Sequence, residues 1–300
     1  MEHEGKAAER FRIMTKTRPP TWLLDHKKDV YSQTGEDGVI EAILSALGER
    51  DKWCVEFGAW DGQHLSNTRN LIQNRGYRAI LIEGDSERYK DLRATYDDNG
   101  GVFAVNAFVG FDPHDGLDTI LAATSIPRDF DLCSIDIDGN DYHAWKAIKA
   151  YRPKLVCIEF NPTIPTDCPF VQPADPALNH GAGIAALVEL GKSKGYELAS
   201  VLPWNAFFVR NDLFARLEIS DNAVQTLRTD LSHITYLFHG YDGTIFVHGN
   251  RRLLWHNIAI DERRLQLLLK PLRKHPAAYS FLERCLMGIC RRWLARGRAS

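Results

Sequence analysis

The stretch Cys54–Asp85, CVEFGAWDGQHLSNTRNLIQNRGYRAILIEGD, constrains the fold of this 300-residue chain more than any other part of it. An apolar run closes on Val55-Glu56-Phe57. A turn bounded by Gly58 and Gly62 follows, then a polar segment, then a second apolar run, Ala79–Ile82, that ends in Glu83. Neither glycine carries a Cβ, so the backbone can turn sharply there and approach a ligand. Ser66 to Asn74 reads as a helix, with Gly76 just past its end, where a left-handed residue is favoured. Strand, turn, helix and strand make a βαβ unit. Parallel sheets bind ligands in the crevice at the carboxyl ends of their strands, and an acid such as Glu83 at such an end suits the hydroxyls of a ribose.

Several nucleoside cofactors fit that geometry. The dinucleotide fingerprint needs G-x-G-x-x-G, whose glycines admit a pyrophosphate at a helix N-terminus. Here the turn reads Gly58-Ala59-Trp60-Asp61-Gly62. Trp60 and Asp61 crowd it, and Asp61 repels phosphate. An acidic turn suits a cationic ligand without phosphate, such as S-adenosylmethionine, which carries a sulfonium and an amino group. The missing third glycine argues against the main alternative enzyme, a nicotinamide-dependent oxidoreductase. A catalytically silent Rossmann-like binding or scaffold domain is the alternative from another class, and the joint presence of Glu56, Glu83, Asp136 and Glu159 argues against it.

On these residues the chain resembles the Rossmann-like S-adenosylmethionine-dependent methyltransferases, most closely the FkbM-type group. Tyr31-Ser-Gln-Thr-Gly-Glu-Asp-Gly38 is similar to the Ser-Gln-x-Gly-Glu-Asp segment before that group's first strand. Ser134-Ile-Asp-Ile-Asp-Gly139 resembles its fourth-strand motif, and Asn205-Ala-Phe-Phe-Val-Arg210 its last strand. Ser134 stands where the group usually has Lys, and Asp138 where it usually has Glu. The resemblance spans roughly residues 30–215. It implies an α/β fold with a seven-stranded, mostly parallel sheet and an antiparallel edge hairpin. It also implies S-adenosylmethionine as cofactor and O-methylation of a sugar, glycan or related hydroxylated metabolite. The cofactor set is Gln33, Glu56, Gly58, Ala59, Asp61, Gly62, Glu83, Gly84, Asn106 and Asp136.

Asp136 and Asp138 follow the fourth predicted strand, and Glu159 and Asn161 follow the fifth. Neighbouring strand ends of a parallel sheet converge, so these oxygens are expected to face one crevice. Hard divalent ions such as Mg²⁺ take such ligands. Asp136, Glu159 and Asn161 match the ligand positions of metal-dependent O-methyltransferases of the catechol and macrocin types. The same acids also suit the acceptor or the methionine part of the cofactor without metal. A hydroxyl acceptor needs a base, or a metal, to favour the alkoxide. Asp138, Asp141 and His143 are the candidate bases, with His180 a weaker one. His143 reads equally as a surface residue of its helix, and Ser32, Gln33, Glu36 and Asp37 as a helix cap or a cover over the ligand.

Composition frames this core. Apolar residues make up 44% and charged residues 25% of the chain, as in ordinary globular proteins. Expected helices are 35–47, 65–74, 86–97, 115–123, 141–150 and 182–194. Expected strands are 53–57, 78–82, 102–105, 131–135, 154–160, 196–202 and 205–210. Asn161–Gly183 holds five prolines and is expected to overhang the acceptor. Six cysteines without metal-type spacing, no apolar leader in MEHEGKAAERFR and no long apolar run point to a reducing cytoplasm. Residues 1–29 read as a loosely ordered lead, 30–215 as the catalytic domain and 216–300 as a helical appendage. Residues 251–300 hold twelve Lys and Arg against three Asp and Glu, a net of +9, which leaves −11 for the rest. An acidic body repels nucleic acid. The basic tail suits peripheral contact with an anionic membrane, or a homo-oligomer contact.

Overall fold

The computed structural model describes residues 18–48 and 51–296. The chain divides into two compact units, Met1–Leu231 and Ser232–Ser300.

The first unit is built on seven strands: β1 (Trp53–Phe57), β2 (Arg78–Glu83), β3 (Val102–Asn106), β4 (Leu132–Ile135), β5 (Leu155–Glu159), β6 (Tyr196–Val201) and β7 (Asn205–Arg210). Their order across the sheet is β3-β2-β1-β4-β5-β7-β6. β1 to β5 pair in parallel, while β7 runs antiparallel to both β5 and β6. This is the expected seven-stranded sheet with its antiparallel edge hairpin. α1 (Glu36–Leu47) precedes β1; the crossovers that parallel strands need are supplied by α2 (Arg69–Arg75), α3 (Ser86–Thr95), α4 (Leu117–Ala122), α5 (Asp141–Ala147) and α6 (Ile184–Ser193).

Both sheet faces are covered, so the strands are apolar on both sides. Val55, Phe57, Cys133, Ile135, Val156 and Ile158 feed one core, against α4, α5 and α6. Cys54, Leu81, Leu132, Leu155, Cys157 and Phe207 feed the other, against α1, α2 and α3. Trp145 of α5 is 1% exposed and packs on Phe208 of β7 with ring centroids 4.9 Å apart. Truncating such a residue to Ala costs about 3–5 kcal/mol.

Two local expectations change. The helix expected from residue 65 begins at Arg69, because Ser66, Asn67 and Thr68 give their donors to Glu56. Ahead of α1, the residue preceding the helix is Gly35, which makes no side-chain cap. Asp37 instead gathers the N–H groups of Val30, Tyr31 and Ser32 at 2.7–2.9 Å, while the Ser32 hydroxyl accepts from the Asp37 N–H.

The unit boundary falls after Leu231 rather than after residue 215. Short helices α7 (Asn211–Phe214) and α8 (Val224–Leu227) follow the sheet. Leu217 and Leu227 are buried, Trp22 Nε1 donates to the Leu217 carbonyl, and an Arg228 guanidinium nitrogen donates to the Pro162 carbonyl at 2.6 Å. Of the expected N-terminal lead, residues 1–17 lie outside the described residues. Trp22–His26 forms a 3₁₀ turn rather than loose chain.

The second unit is not simply helical. It holds the antiparallel hairpin β8 (Thr235–His239) and β9 (Ile245–Gly249), the short pair β10 (Arg252–Leu253) and β11 (Ile258–Ala259), and a terminal helix, α9 (Phe281–Arg296). Gln266 bonds both the N–H and the carbonyl of Ile245, and Lys274 pairs with Glu283. Side chains from Trp293 onward lie outside the described residues. Among the described residues no helix is long and apolar enough to cross a membrane.

Candidate active site

The carboxyl ends of β1, β2, β4 and β5 open side by side, and the acids there fall into two groups. On the β1–β2 side each acid is held by donors. Gly58 leaves β1 with φ +77°, and a Cβ there would overlap the Asp136 carbonyl oxygen. No other residue lets β1 turn so close to β4. Gly58 and Ala59 both donate their N–H to the Ile82 carbonyl at 3.1 Å. Glu83 then clamps the turn: one carboxylate oxygen accepts the Trp60 N–H at 2.8 Å, the other the Asp85 N–H at 2.7 Å. Each oxygen keeps a lone pair for a ligand hydroxyl. Asn106, at the end of β3, donates to the Glu83 carbonyl at 2.8 Å. Gly84 passes beneath the ring of Phe108, which is 79% exposed. Asp61 accepts the N–H groups of Gln63 and His64, and so shapes the turn that ends at Gly62. Gln33 is exposed at the head of the segment leading into α1.

Glu56 departs from the expected ligand role. It lies on the Cys54 face of β1, toward α2. Its carboxylate accepts the Ser66 hydroxyl at 2.6 Å, the Thr68 hydroxyl at 2.7 Å and the Asn67 N–H at 2.8 Å. Burial pushes its carboxyl up, against those donors. The residue fixes the loop that carries α2.

On the β4–β5 side the acids face one another. Asp136, Asp138 and Glu159 each place a carboxylate oxygen within 4.8 Å of the others. Burial, then the charges of Asp141, Asp138 and Glu56, push Asp136 up to about 8. Asp136 is half-buried, with the carboxylates of Asp138 and Asp141 crowded around it. Burial, then Asp136, raises Glu159, and the two carboxyls share a hydrogen bond. Asp138 sits at φ +55° and its carboxylate accepts no hydrogen bond among the described residues.

The other predicted residues are committed elsewhere. Asp141 accepts the N–H groups of Ile137 and Gly139, one on each oxygen, at 2.9 Å. Burial, opposed by those donors, leaves its carboxyl raised to about 6. His143 Nε2 lies 2.9 Å from the Gln172 carbonyl, which can only accept, so this nitrogen carries the hydrogen. Asn161 does not join the acids: its amide oxygen accepts the N–H and hydroxyl of Thr163, and its NH₂ donates to the His180 carbonyl. Both lone pairs are taken, so the oxygen set that the structure assembles is Asp136, Asp138 and Glu159.

The 161–183 loop supplies residues that sequence reasoning missed. Gln172 is 2% exposed; its carbonyl-type oxygen accepts the N–H groups of His180 and Gly181, and its NH₂ donates to the Leu178 carbonyl. Asn140 donates to the Asp175 carbonyl at 3.1 Å and Asn179 to the Asp138 carbonyl at 2.8 Å. The loop is thereby stitched to the turn that carries Asp138. The only sequence signal was the amide content of the loop and of the motif beside it.

Glu36, Asp37, Glu56, Glu83, Asp136, Asp138, Asp141 and Glu159 have no ion-pair partner among the described residues. The first unit does pair a buried acid elsewhere: Lys154 meets Asp131.

No protein-family model matches the sequence, and no curated protein matches it. Solved structures similar to the chain include the N-terminal domain of EvdMO1 with SAH bound (13% identity, 59% of this chain, 80% of that one, TM-score 0.40). Others are TrmK of M. capricolum with its natural cofactor product S-adenosylhomocysteine (11% identity, 57% and 67%, TM-score 0.37) and a SAM-dependent methyltransferase from Aquifex aeolicus (11% identity, 63% and 96%, TM-score 0.36).

Proposed function

We propose that the chain is an S-adenosylmethionine-dependent methyltransferase acting on a hydroxyl of a sugar, glycan or related metabolite. The observation that carries this reading is the set of carboxylates at the strand ends without a cationic side chain to neutralise them. Burying charge without a partner is costly. A ligand bringing a sulfonium and an ammonium, and no phosphate, supplies the missing charge. Glu83 keeps lone pairs where ribose hydroxyls arrive, and Phe108 offers a flat apolar surface for a base beside Gly84.

Methyl transfer is an in-line displacement: the acceptor oxygen bonds the methyl carbon as the carbon–sulfur bond breaks, and the sulfur keeps the electron pair. S-adenosylmethionine supplies the activated methyl group. The chain orients the two reactants and takes the acceptor's proton. Asp138 fits the base role best of the three candidates, because Asp141 and His143 are already bonded to the backbone. Convergence of three carboxylates also favours a second reading of the same cluster, in which Asp136, Asp138 and Glu159 hold a divalent ion.

Calorimetry with S-adenosylhomocysteine and with NAD tests the cofactor. Micromolar affinity for the former, about −8 kcal/mol, is expected. Binding of NAD with no response to S-adenosylhomocysteine would overturn the reading. Transfer of labelled methyl to a panel of hydroxylated acceptors then defines the substrate.

A further inference from the structure

The second unit carries a run of apolar surface that the activity does not use. Along α9, Leu282, Cys285, Leu286 and Ile289 are all exposed, Leu282 at 73%. At helical spacing they form one stripe about 100° wide. The neighbouring face, Glu283 and Met287, is half-buried, and Glu283 is fixed by Lys274 and by the Ser280 N–H. The helix is therefore seated by one side and leaves the stripe open. The β10–β11 pair repeats the theme at its tip, where Leu253, Trp255 and Ile258 are exposed, Trp255 at 59%.

The unit's charge decides what can cover these groups. Residues 232–300 hold twelve Lys and Arg against four Asp and Glu, a net of +8. A symmetric contact with the same unit of a second copy would bring +8 against +8, and the acidic remainder of a second copy would meet the arginines without covering the leucine and isoleucine side chains. A nucleic acid would satisfy the arginines and leave leucine and isoleucine side chains in water. An anionic bilayer surface satisfies both: apolar groups enter the acyl boundary, arginines stay with the headgroups, and a tryptophan settles at the interface between them.

We propose that the second unit docks the protein on anionic membrane surfaces, with the α9 stripe and the Leu253–Trp255–Ile258 tip entering the interface. No part of this rests on the methyltransferase reading.

Flotation of the full-length chain with phosphatidylcholine vesicles, with and without phosphatidylserine, tests it. Binding is expected only to the anionic vesicles, falling as salt is raised. Leu282→Gln with Leu286→Gln should weaken it about tenfold, as should Trp255→Ser; these side chains are exposed, and an unchanged thermal melt checks that the variants are folded. Arg264→Gln and Arg292→Gln should each cost about fivefold, equivalent to about 1 kcal/mol per arginine near the surface. Failure to float with anionic vesicles overturns the proposal. So does equal flotation of all variants, or a concentration-dependent dimer that the Leu282/Leu286 variant abolishes while lipid binding is absent. Tight binding of an RNA homopolymer without lipid binding overturns it as well.

Discussion

The two halves of the crevice solve the problem of a carboxylate at a strand end in opposite ways. Between β1 and β2, Glu56 and Glu83 receive five protein donors between them, three on Glu56 and two on Glu83. Between β4 and β5, Asp136 and Glu159 receive mainly each other, with Asp138 close by. The first half is finished before a ligand arrives. The second is left frustrated, and a cation or a proton completes it. Rigid positioning and chemical responsiveness are thus assigned to different strands.

The sharpest way to break that contrast is Glu56→Ala. It leaves two hydroxyls and an N–H without their acceptor, and a loss of roughly 3 kcal/mol in a denaturant melt is expected. Unchanged stability with lost S-adenosylhomocysteine affinity would move Glu56 into the ligand-binding class. Asp138→Asn should cut turnover about 10²-fold or more while cofactor affinity stays within a few-fold, because the proposed base is removed and the β1–β2 clamp is untouched. Equal losses in both would make Asp138 a cofactor contact. Glu83→Ala should weaken S-adenosylhomocysteine by roughly 1–3 kcal/mol in calorimetry.

A subtler effect belongs to Asp136. Its folded value of about 8 lies above the ordinary carboxyl value of 3.8, so protonation favours the native state. That contribution is full below about pH 4 and is lost as pH rises through 8. Asp136→Asn should therefore melt like the parent below about pH 4 and above it at about pH 9, with the difference growing between the two. The gain is expected to be roughly 1–2 kcal/mol, reduced by solvent around the half-exposed side chain. A variant less stable than the parent at pH 9 would show that Asp136 is held charged. The smallest effect concerns metal: excess chelator should change turnover less than about twofold if ligand charge alone completes the cluster. Turnover that vanishes and returns with Mg²⁺ would assign the cluster to an ion.

The strands were legible because Ala79–Ile82 and Leu155–Ile158 are short apolar runs ending at acids and Cys54–Phe57 is a short apolar run, broken by Glu56, that stops at Gly58, and tertiary packing had no reason to override them. The start of α2 was not, since Ser66 and Thr68 are ordinary helix-entry residues whose hydroxyls are taken by Glu56, a partner ten and twelve residues away. The acids were legible one by one. The convergence of Asp136, Asp138 and Glu159 followed from their places at neighbouring strand ends; the departure of Asn161 did not, because its amide oxygen is taken by Thr163, two residues on. The β8–β9 hairpin was legible in principle: Thr235–His239 and Thr244–Gly249 flank an Asp242-Gly243 turn pair.

The hydrogen bond from Asn179 to the Asp138 carbonyl joins the 161–183 loop to the residue proposed as the base. On the proposed mechanism, an acceptor that displaces this loop pulls the base out of line by the same motion. Fit and reactivity then rise or fall together, so a poorly seated alcohol is not merely bound less often but is also left protonated. On the same mechanism, exchanging this loop for one of another length would retune selectivity and rate together, and Asn179→Ala, which removes one of the hydrogen bonds between loop and turn, should begin to separate them.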